Sequence, residues 1–162
     1  FQSVIKTAAE MSNWGKNTPG RFKGFSAYFS FGTYVAEVAE VSVEKGKLKV
    51  HKVWAAVYCG QVVNLSGAEN QVEGAIIDGL GHAWHTSLTF NKGAVVENNF
   101  HTYKFMRMQD APPAIEVKFV ESNEAPSGLG EPGLPPIAAA VCNAIFAATG
   151  KRIRKLPFGN EI

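Results

Sequence analysis

The sequence predicts an α+β fold in which helices pack on one side of a mixed or antiparallel sheet. Three features indicate this fold: a long two-stranded pattern in the N-terminal half, apolar residues at helical spacing mid-chain, and a second helical run near the C-terminus. The order helix, strands, helix, strands, helix shows no repeat and no strict strand–helix alternation. No linker-like segment interrupts it, so we expect one domain over residues 1–162.

The N-terminal half predicts a short helix and a β-hairpin. Residues 3–13 have the apolar spacing of a short helix, and a loop rich in glycine and proline follows. Strand character begins at Phe25. Residues 34–43, YVAEVAEVSV, nearly alternate apolar and polar side chains. After a turn at Lys45-Gly46-Lys47, residues 48–58 form the return strand.

A helical period replaces this alternation from Gly67 onward. Apolar residues recur at i, i+3, i+4 and i+7 as far as Trp84, which predicts an amphipathic helix. A later apolar run has Pro135 at its start and Gly150 at its end, residues that are typical of the beginning and the end of a helix. The remaining predicted elements are a hairpin of residues 88–90 and 94–97 around Asn91-Lys92-Gly93, a strand over 115–120, and the helix over 135–149.

Composition excludes several classes of function. A net charge of +2 in 162 residues does not predict binding to nucleic acid, and no apolar run is long enough for membrane insertion. The basic cluster at residues 151–155 follows a predicted helix end and complements its dipole. Because the chain starts at Phe1 rather than at methionine, we expect a processed chain or an excised fragment, and the compartment stays open.

The segment APSGLGEPGLPP, residues 125–136, places Glu131 in a stiff setting. Gly128 to Gly133 formally match G-x-G-x-x-G, but prolines still lie ahead of the helix, and no acidic residue follows about 20 positions on to bind a ribose. We therefore discount a dinucleotide site. Two interpretations remain open: a rigid loop leading into a helix, or a loop that fixes the Glu131 carboxylate as a general base.

Other candidate residues favour structural roles on spacing alone. His82 and His85 stand at i and i+3 on the predicted helix, and Glu73 and Asp78 lie nearby in sequence. Because no H-E-x-x-H arrangement is present, we predict no metal site. Cys59 and Cys142 are too few for a disulfide framework or an iron–sulfur site. Gln71 lies near the start of the same helix, where it either faces a ligand or forms an ordinary polar helix start.

Two segments resemble a known family, the molybdenum hydroxylases, which include xanthine dehydrogenase and aldehyde oxidase. They are VWAAVYCGQVVNLSGAENQVEGAIIDGLGHAW, residues 53–84, and SNEAPSGLGEPGLPPIAAAVCNAIFAATGKRIRKLPF, residues 122–158. The resemblance is to the C-terminal part of the large, or beta, subunit of isoquinoline 1-oxidoreductase and related bacterial aldehyde dehydrogenases. Its specificity rests on Gln71-Val72-Glu73-Gly74 together with the G-x-G-E-P motif from Gly128 to Pro132.

This resemblance implies a function and a set of site residues. Gln71, Gly128, Leu129 and Gly130 would contact a molybdopterin cofactor, in bacteria usually the cytosine dinucleotide form. Glu131 would be the general base toward Mo–OH in the hydroxylation of an aldehyde or N-heterocycle. The implied partners are the N-terminal remainder of the large subunit and a [2Fe–2S] small subunit. Related subunits occur in both the bacterial cytoplasm and periplasm.

The sequence departs from the family pattern at two positions, and one of them, Tyr58, together with the missing N-terminal part of the large subunit, motivates a different hypothesis. Tyr58 precedes Cys59-Gly60 where the family usually has aspartate, and Leu65 follows Asn64 where it usually has proline. Because the implied cofactor contacts are incomplete in this chain, we expect it to be inactive alone, and cofactor binding to it alone is left open. The alternative to an enzyme part is a non-catalytic binding or assembly module that keeps the same fold.

Overall fold

The computed structural model describes residues 1–16 and 18–162, and its elements follow the predicted order. Every predicted helix and strand is present within two residues of its expected bounds, apart from the first strand, which begins at Phe22 rather than at Phe25. The elements are α1 (Gln2–Met11), β1 (Phe22–Ser30), β2 (Thr33–Glu44), β3 (Lys47–Tyr58), α2 (Leu65–Trp84), β4 (Phe90–Asn91), β5 (Ala94–Val95), β6 (Ile115–Phe119), α3 (Leu134–Thr149) and a terminal 3₁₀ turn (Phe158–Asn160).

Strands β1, β2, β3 and β6 form one mixed sheet in that order. The first three are antiparallel neighbours, and β6 lies parallel to β3 with Val53 opposite Ile115. The hairpin turn between β2 and β3 consists of Lys45 and Gly46, which both have positive φ. A two-residue turn needs positive φ at both positions to match the twist of its strands. β6 therefore reaches the sheet by a long crossover that contains α2.

Helices α2 and α3 cover one face of the sheet. Val72, Ile76 and Leu80 of α2 and Ile137 and Val141 of α3 are buried in one cluster with the odd-numbered side chains of β2. The alternation of β2 thus places Val35, Ala39 and Val41 under the two helices. This arrangement confirms the α+β fold with a mixed sheet.

Helix α1 departs from the expectation that all helices lie on one side. Its Val4 and Ala8 pack against Ala36, Val38 and Trp54 on the opposite face of the sheet. Strand β2 is buried on both faces, so side chains on its second face are apolar as well. The near-alternation of apolar and polar residues in the sequence does not reveal this second buried face.

The second predicted hairpin is present, but its strands are shorter than the three and four residues expected. β4 and β5 have two residues each, and all four are exposed. A hairpin with no face to pack on gains little from burial, so pairing stops after the turn. Among the described residues, no helix has the length and apolar character needed to cross a membrane.

Candidate functional site

The loop that carries Glu131 runs from β6 to α3 and is fastened to the end of β3. The amide of Gln61 donates to the carbonyl of Glu124 over 2.9 Å, and the amide of Ser127 donates to the carbonyl of Cys59 over 2.9 Å. Between them, Gly60 has a φ of +72°, and a Cβ atom there would lie 2.2 Å from the Ala125 carbonyl oxygen. Only glycine permits this approach.

The same loop is also fastened to the turn between β1 and β2. The amide of Gly128 donates to the Phe31 carbonyl over 3.0 Å. The buried Thr33 hydroxyl donates to the Gly128 carbonyl over 2.5 Å, so it accepts from the Ser127 hydroxyl, which lies 2.7 Å away. Two separate anchors therefore fix the glycine-rich segment immediately before Glu131.

Gln71 and Gly130, remote in sequence, meet at this loop. Gln71 is exposed in the second turn of α2, and its Oε1 lies 3.8 Å from the point where a Cβ on Gly130 would stand. The meeting depends on close packing of α2 against α3, because a Cβ on Gly79 would lie 2.5 Å from the Leu134 carbonyl oxygen. The two motifs singled out in the sequence are thus adjacent in space.

An open cleft of about 310 Å³ lies beside these residues. Asn64 forms one wall at the start of α2, where its side chain accepts the Gly67 amide over 3.0 Å as an N-cap. No described residue that lines the cleft has a charged side chain, so its polar groups are amides, a hydroxyl, a thiol and backbone. The lining residues are Cys59, Gln61, Val62, Val63, Asn64, Gly67, Ala68, Gln71, Pro126, Ser127 and Leu129.

Glu131 itself lies in the turn that enters α3. Its side chain is exposed, its carbonyl accepts the Leu134 amide over 2.9 Å, and Pro132 and Gly133 behind it are buried. The exposed carboxylate therefore has access to a ligand, and the anchored backbone fixes the position from which it extends. Of the predicted cofactor contacts, Gln71 and Leu129 line the cleft, whereas Gly128 and Gly130 adjoin it through the loop.

Glu37 of β2 is a carboxyl group that the sequence reasoning missed. Its side chain is 0% exposed, and burial raises its pKa well above the ordinary range of glutamate. Oε1 lies 3.6 Å from the point where a Cβ on Gly133 would stand, directly beneath the Glu131 turn. The alternation of β2 contains the signal, because Glu37 shares the parity of Val35 and Ala39.

His82 and His85 have different surroundings in the structure. His82 lies 3.6 Å from Asp78 at the exposed surface, and His85 stacks on Trp84, with burial as the main cause of its lowered pKa. Within residues 1–16 and 18–162, no three His, Cys, Asp or Glu residues are grouped closely enough to hold a metal ion. Burial raises the thiol pKa of Cys59 and Cys142, which disfavours a nucleophilic role for either.

Thr33 and Ser127, which anchor the loop, also escaped the sequence reasoning. Both are small hydroxyl residues outside any recognisable motif, and their partners are far away in sequence. Asn64 did have a local signal, because asparagine before an apolar helical run is a preferred N-cap.

Residues 3–112 match the family model described as the molybdopterin cofactor-binding domain. The chain is 35% identical over 161 residues to the isoquinoline 1-oxidoreductase subunit beta of Brevundimonas diminuta, covering 96% of this chain and 20% of the relative. It is 33% identical over 163 residues to a membrane-bound aldehyde dehydrogenase of Gluconacetobacter polyoxogenes, covering 96% and 21%. This chain thus spans about a fifth of the length of these relatives.

Solved structures share the fold of this chain. The quinoline 2-oxidoreductase of Pseudomonas putida 86 shares the fold with a TM-score of 0.71 at 21% identity, over 78% of this chain and 17% of that one. The aldehyde oxidoreductase of Desulfovibrio gigas matches with a TM-score of 0.67 at 26% identity, over 77% and 14%. The chain therefore belongs to the molybdopterin cofactor-binding domains of the molybdenum hydroxylase family.

Proposed function

We propose that this chain is the part of a molybdenum hydroxylase that supplies the general base, Glu131, and the cofactor contact of Gln71. The substrate class is an aldehyde or an N-heterocycle, the classes named for the relatives in Brevundimonas and Gluconacetobacter. One observation carries the proposal: Gln71 Oε1 lies 3.8 Å from the Cβ position of Gly130, the residue before Glu131.

The residues of the cleft suit a molybdopterin cofactor. A pterin carries several hydrogen-bonding groups and a phosphate, and it is recognised by amides and helix N-termini rather than by carboxylates. The cleft offers Gln61, Asn64 and Gln71, opens at the N-terminus of α2, and has no charged lining residue among those described. The absence of a side chain at Gly130 lets the ligand approach the backbone. We propose the cytosine dinucleotide form.

Gln71 would hold the cofactor, and Leu129 would form the apolar part of its seat. When bound, the molybdenum cofactor supplies the two-electron redox chemistry of the hydroxylation. Glu131 accepts a proton on its carboxylate, which requires only hydrogen-bond reach and the anchored position that the Gly128 and Ser127 bonds provide.

The proposed enzyme needs partners that this chain does not contain. We propose the N-terminal remainder of a large subunit, which would complete the cofactor and substrate pockets, and a small [2Fe–2S] subunit, which would accept electrons. The native gene product is then several times larger than 17.5 kDa. Intact-mass measurement from the source cell tests this, and a native product of 17.5 kDa without molybdenum would favour the non-catalytic module.

Glu131→Gln in the native gene product tests the base directly. We expect turnover of an aldehyde or N-heterocycle to fall about 10² to 10⁴-fold, because a general base is lost while the shape is kept. The molybdenum content per molecule should stay at the wild-type level. Glu124→Gln is the matched control, since Glu124 is an exposed glutamate of the same loop.

The two measurements separate the outcomes. Near-normal turnover of Glu131→Gln with full molybdenum content contradicts the assignment of the base. Loss of molybdenum in Glu131→Gln, but not in Glu124→Gln, would instead make Glu131 a residue that holds the cofactor.

A further inference from the structure

Glu37 is a buried carboxyl group with no evident partner. It lies in the central part of β2, between Ser26 of β1 and Ala55 of β3. Its side chain points to the face covered by α2 and α3, where Gly133 approaches. Among the residues the structure describes, neither Oε1 nor Oε2 has a hydrogen-bond partner.

A carboxyl group in this position is stable only when it is neutral. Moving an ionised carboxylate out of water without a counter-charge is very costly, so the group keeps its proton instead. Burial is accordingly the sole cause of the raised pKa of Glu37, and no neighbouring charge contributes to it. The titratable side chains on the elements packed around it are Lys23 and Tyr28 of β1, Tyr34, Glu40 and Glu44 of β2, Lys47, Lys49, His51, Lys52 and Tyr58 of β3, Glu69, Glu73, Asp78 and His82 of α2, and Cys142 of α3.

The Glu131 turn rests against this carboxyl group. The Cβ position of Gly133 is surrounded by the Val72 carbonyl oxygen at 3.3 Å, the Ala75 Cβ at 3.4 Å and Glu37 Oε1 at 3.6 Å. Gly133 is two residues beyond Glu131, and the Leu134 amide bonds back to the Glu131 carbonyl. A displacement of Gly133 is therefore transmitted to Glu131.

The turn is also the part of the surroundings that can yield. On either side of Glu37, β1 and β3 are held by antiparallel pairing that is unbroken from Tyr34 to Glu40. Gly133 belongs to no strand, and it lies just before the first turn of α3, where two prolines have no amide to donate. If Glu37 ionises, water reaches it most easily by lifting this turn.

We propose that Glu37, as a neutral carboxylic acid, is a positioning residue that seats the turn of Glu131, and that its ionised form releases the turn. This inference rests on the proposed function only for its effect on the base. The seating itself needs neither cofactor nor turnover.

Hydrogen–deuterium exchange on the native gene product tests the seating. The readout is the protection factor of amides in residues 128–134, corrected for the intrinsic rate at each pH, with residues 47–50 at the far end of the hairpin as the internal reference. In the wild type we expect protection of 128–134 to fall about tenfold or more from pH 6 to about pH 9 while the reference is unchanged.

The Glu37→Gln side chain keeps the shape and cannot ionise. In this variant the protection factors of amides in residues 128–134 should therefore stay within about twofold over that pH range. Glu37→Leu serves as a second non-ionising variant if Gln fails to fold. Three results would overturn the proposal: no pH response in the wild type, the same response in both proteins, or loss of protection in the reference at the same pH, which would mean unfolding of the whole sheet.

Turnover gives an independent second readout. In the wild type kcat should decline on the alkaline side with KM little changed, and Glu37→Gln should lack that decline. If Glu131→Gln keeps normal turnover while the exchange result holds, then the proposed base is wrong and the seating is right.

Discussion

The carbonyl oxygen of Leu134 lies 2.5 Å from the point where a Cβ atom on Gly79 would stand. Leu134 is the first residue of α3, and Gly79 lies in the buried face of α2. This contact sets how close the two helices approach, and the helices carry Gln71 and the turn of Glu131. The geometry of the candidate site therefore depends on the absence of one methyl group.

Gly79→Ala should destabilise the chain, and Gly74→Ala should not. At Gly79 a methyl group would meet backbone oxygen at 2.5 Å and the Ile137 side chain at 2.8 Å, so α3 must move. We expect a cost of about 1–3 kcal/mol in the free energy of unfolding, as for overpacking. Gly74, in the same helix, has nothing within 4 Å, so alanine there should stabilise by about 0.5–1 kcal/mol. Urea denaturation of the two variants measures the difference, and equal effects would contradict it.

Gly60→Ala should loosen the loop before Glu131 more than its backbone strain alone explains. Gly60 and Gly150 have nearly the same positive φ, +72° and +75°, so alanine strains the backbone similarly at both. A Cβ on Gly60 would also lie 2.2 Å from the Ala125 carbonyl, whereas Gly150 has open space. We expect Gly150→Ala to cost about 1 kcal/mol and Gly60→Ala about 1–3 kcal/mol more. Thermal unfolding compares them, and matching losses would show that the Ala125 contact is unimportant.

Thr33→Val should weaken the second anchor of the same loop. The substitution keeps the shape but leaves the Gly128 carbonyl and the Ser127 hydroxyl without their partner. Since Thr33 is buried, we expect a loss of about 1–3 kcal/mol in the free energy of unfolding. Thr7→Val on α1 is the control, because the described structure gives its hydroxyl no hydrogen bond. Chemical denaturation gives the values, and a Thr33 loss no larger than that of Thr7 would rule out the anchor.

The stability of the chain should fall as pH rises, and Glu37→Gln should reduce that fall. The folded-state pKa of Glu37 is raised, so above the unfolded value of about 4.3 the folded state binds more protons than the unfolded state. The contribution of Glu37 to stability is therefore fully present below that value. It is lost progressively as pH rises, until pH passes the raised pKa. Urea midpoints at several pH values test this against Glu44→Gln, an exposed residue of the same strand. A pH slope that Glu37→Gln leaves intact would contradict the prediction.

Local patterns in the sequence predicted most of the helices and strands. They did not predict on which face of the sheet each helix packs or which strands are neighbours. The spacing of apolar residues and the glycine at the end of α3, Gly150, are local signals. They were therefore sufficient to predict the positions of β2, β3, α2 and α3. The position of α1 on the opposite face was missed, since Val4 and Ala8 would suit either face. The parallel placement of β6 beside β3 depends on a crossover that no short segment encodes.

The candidate site was only partly predictable for the same reason. Resemblance supplied Gln71 and Glu131 as a pair, and the structure places Gln71 against Gly130. The roles of both residues stay predictions. Thr33 and Ser127 carry no motif, and their bond joins residues far apart in the chain. Glu37 could have been found by reading the parity of β2 strictly.

The cleft has a consequence for the order of events during biosynthesis. Its walls come from residues 59–71 and from residues 126–129, and they meet only after β6 and α3 have docked on the rest. A nascent chain that ends before residue 126 holds one wall and not the other. A ligand can therefore contact both walls of the cleft only after the second segment has been synthesised and has docked on the first.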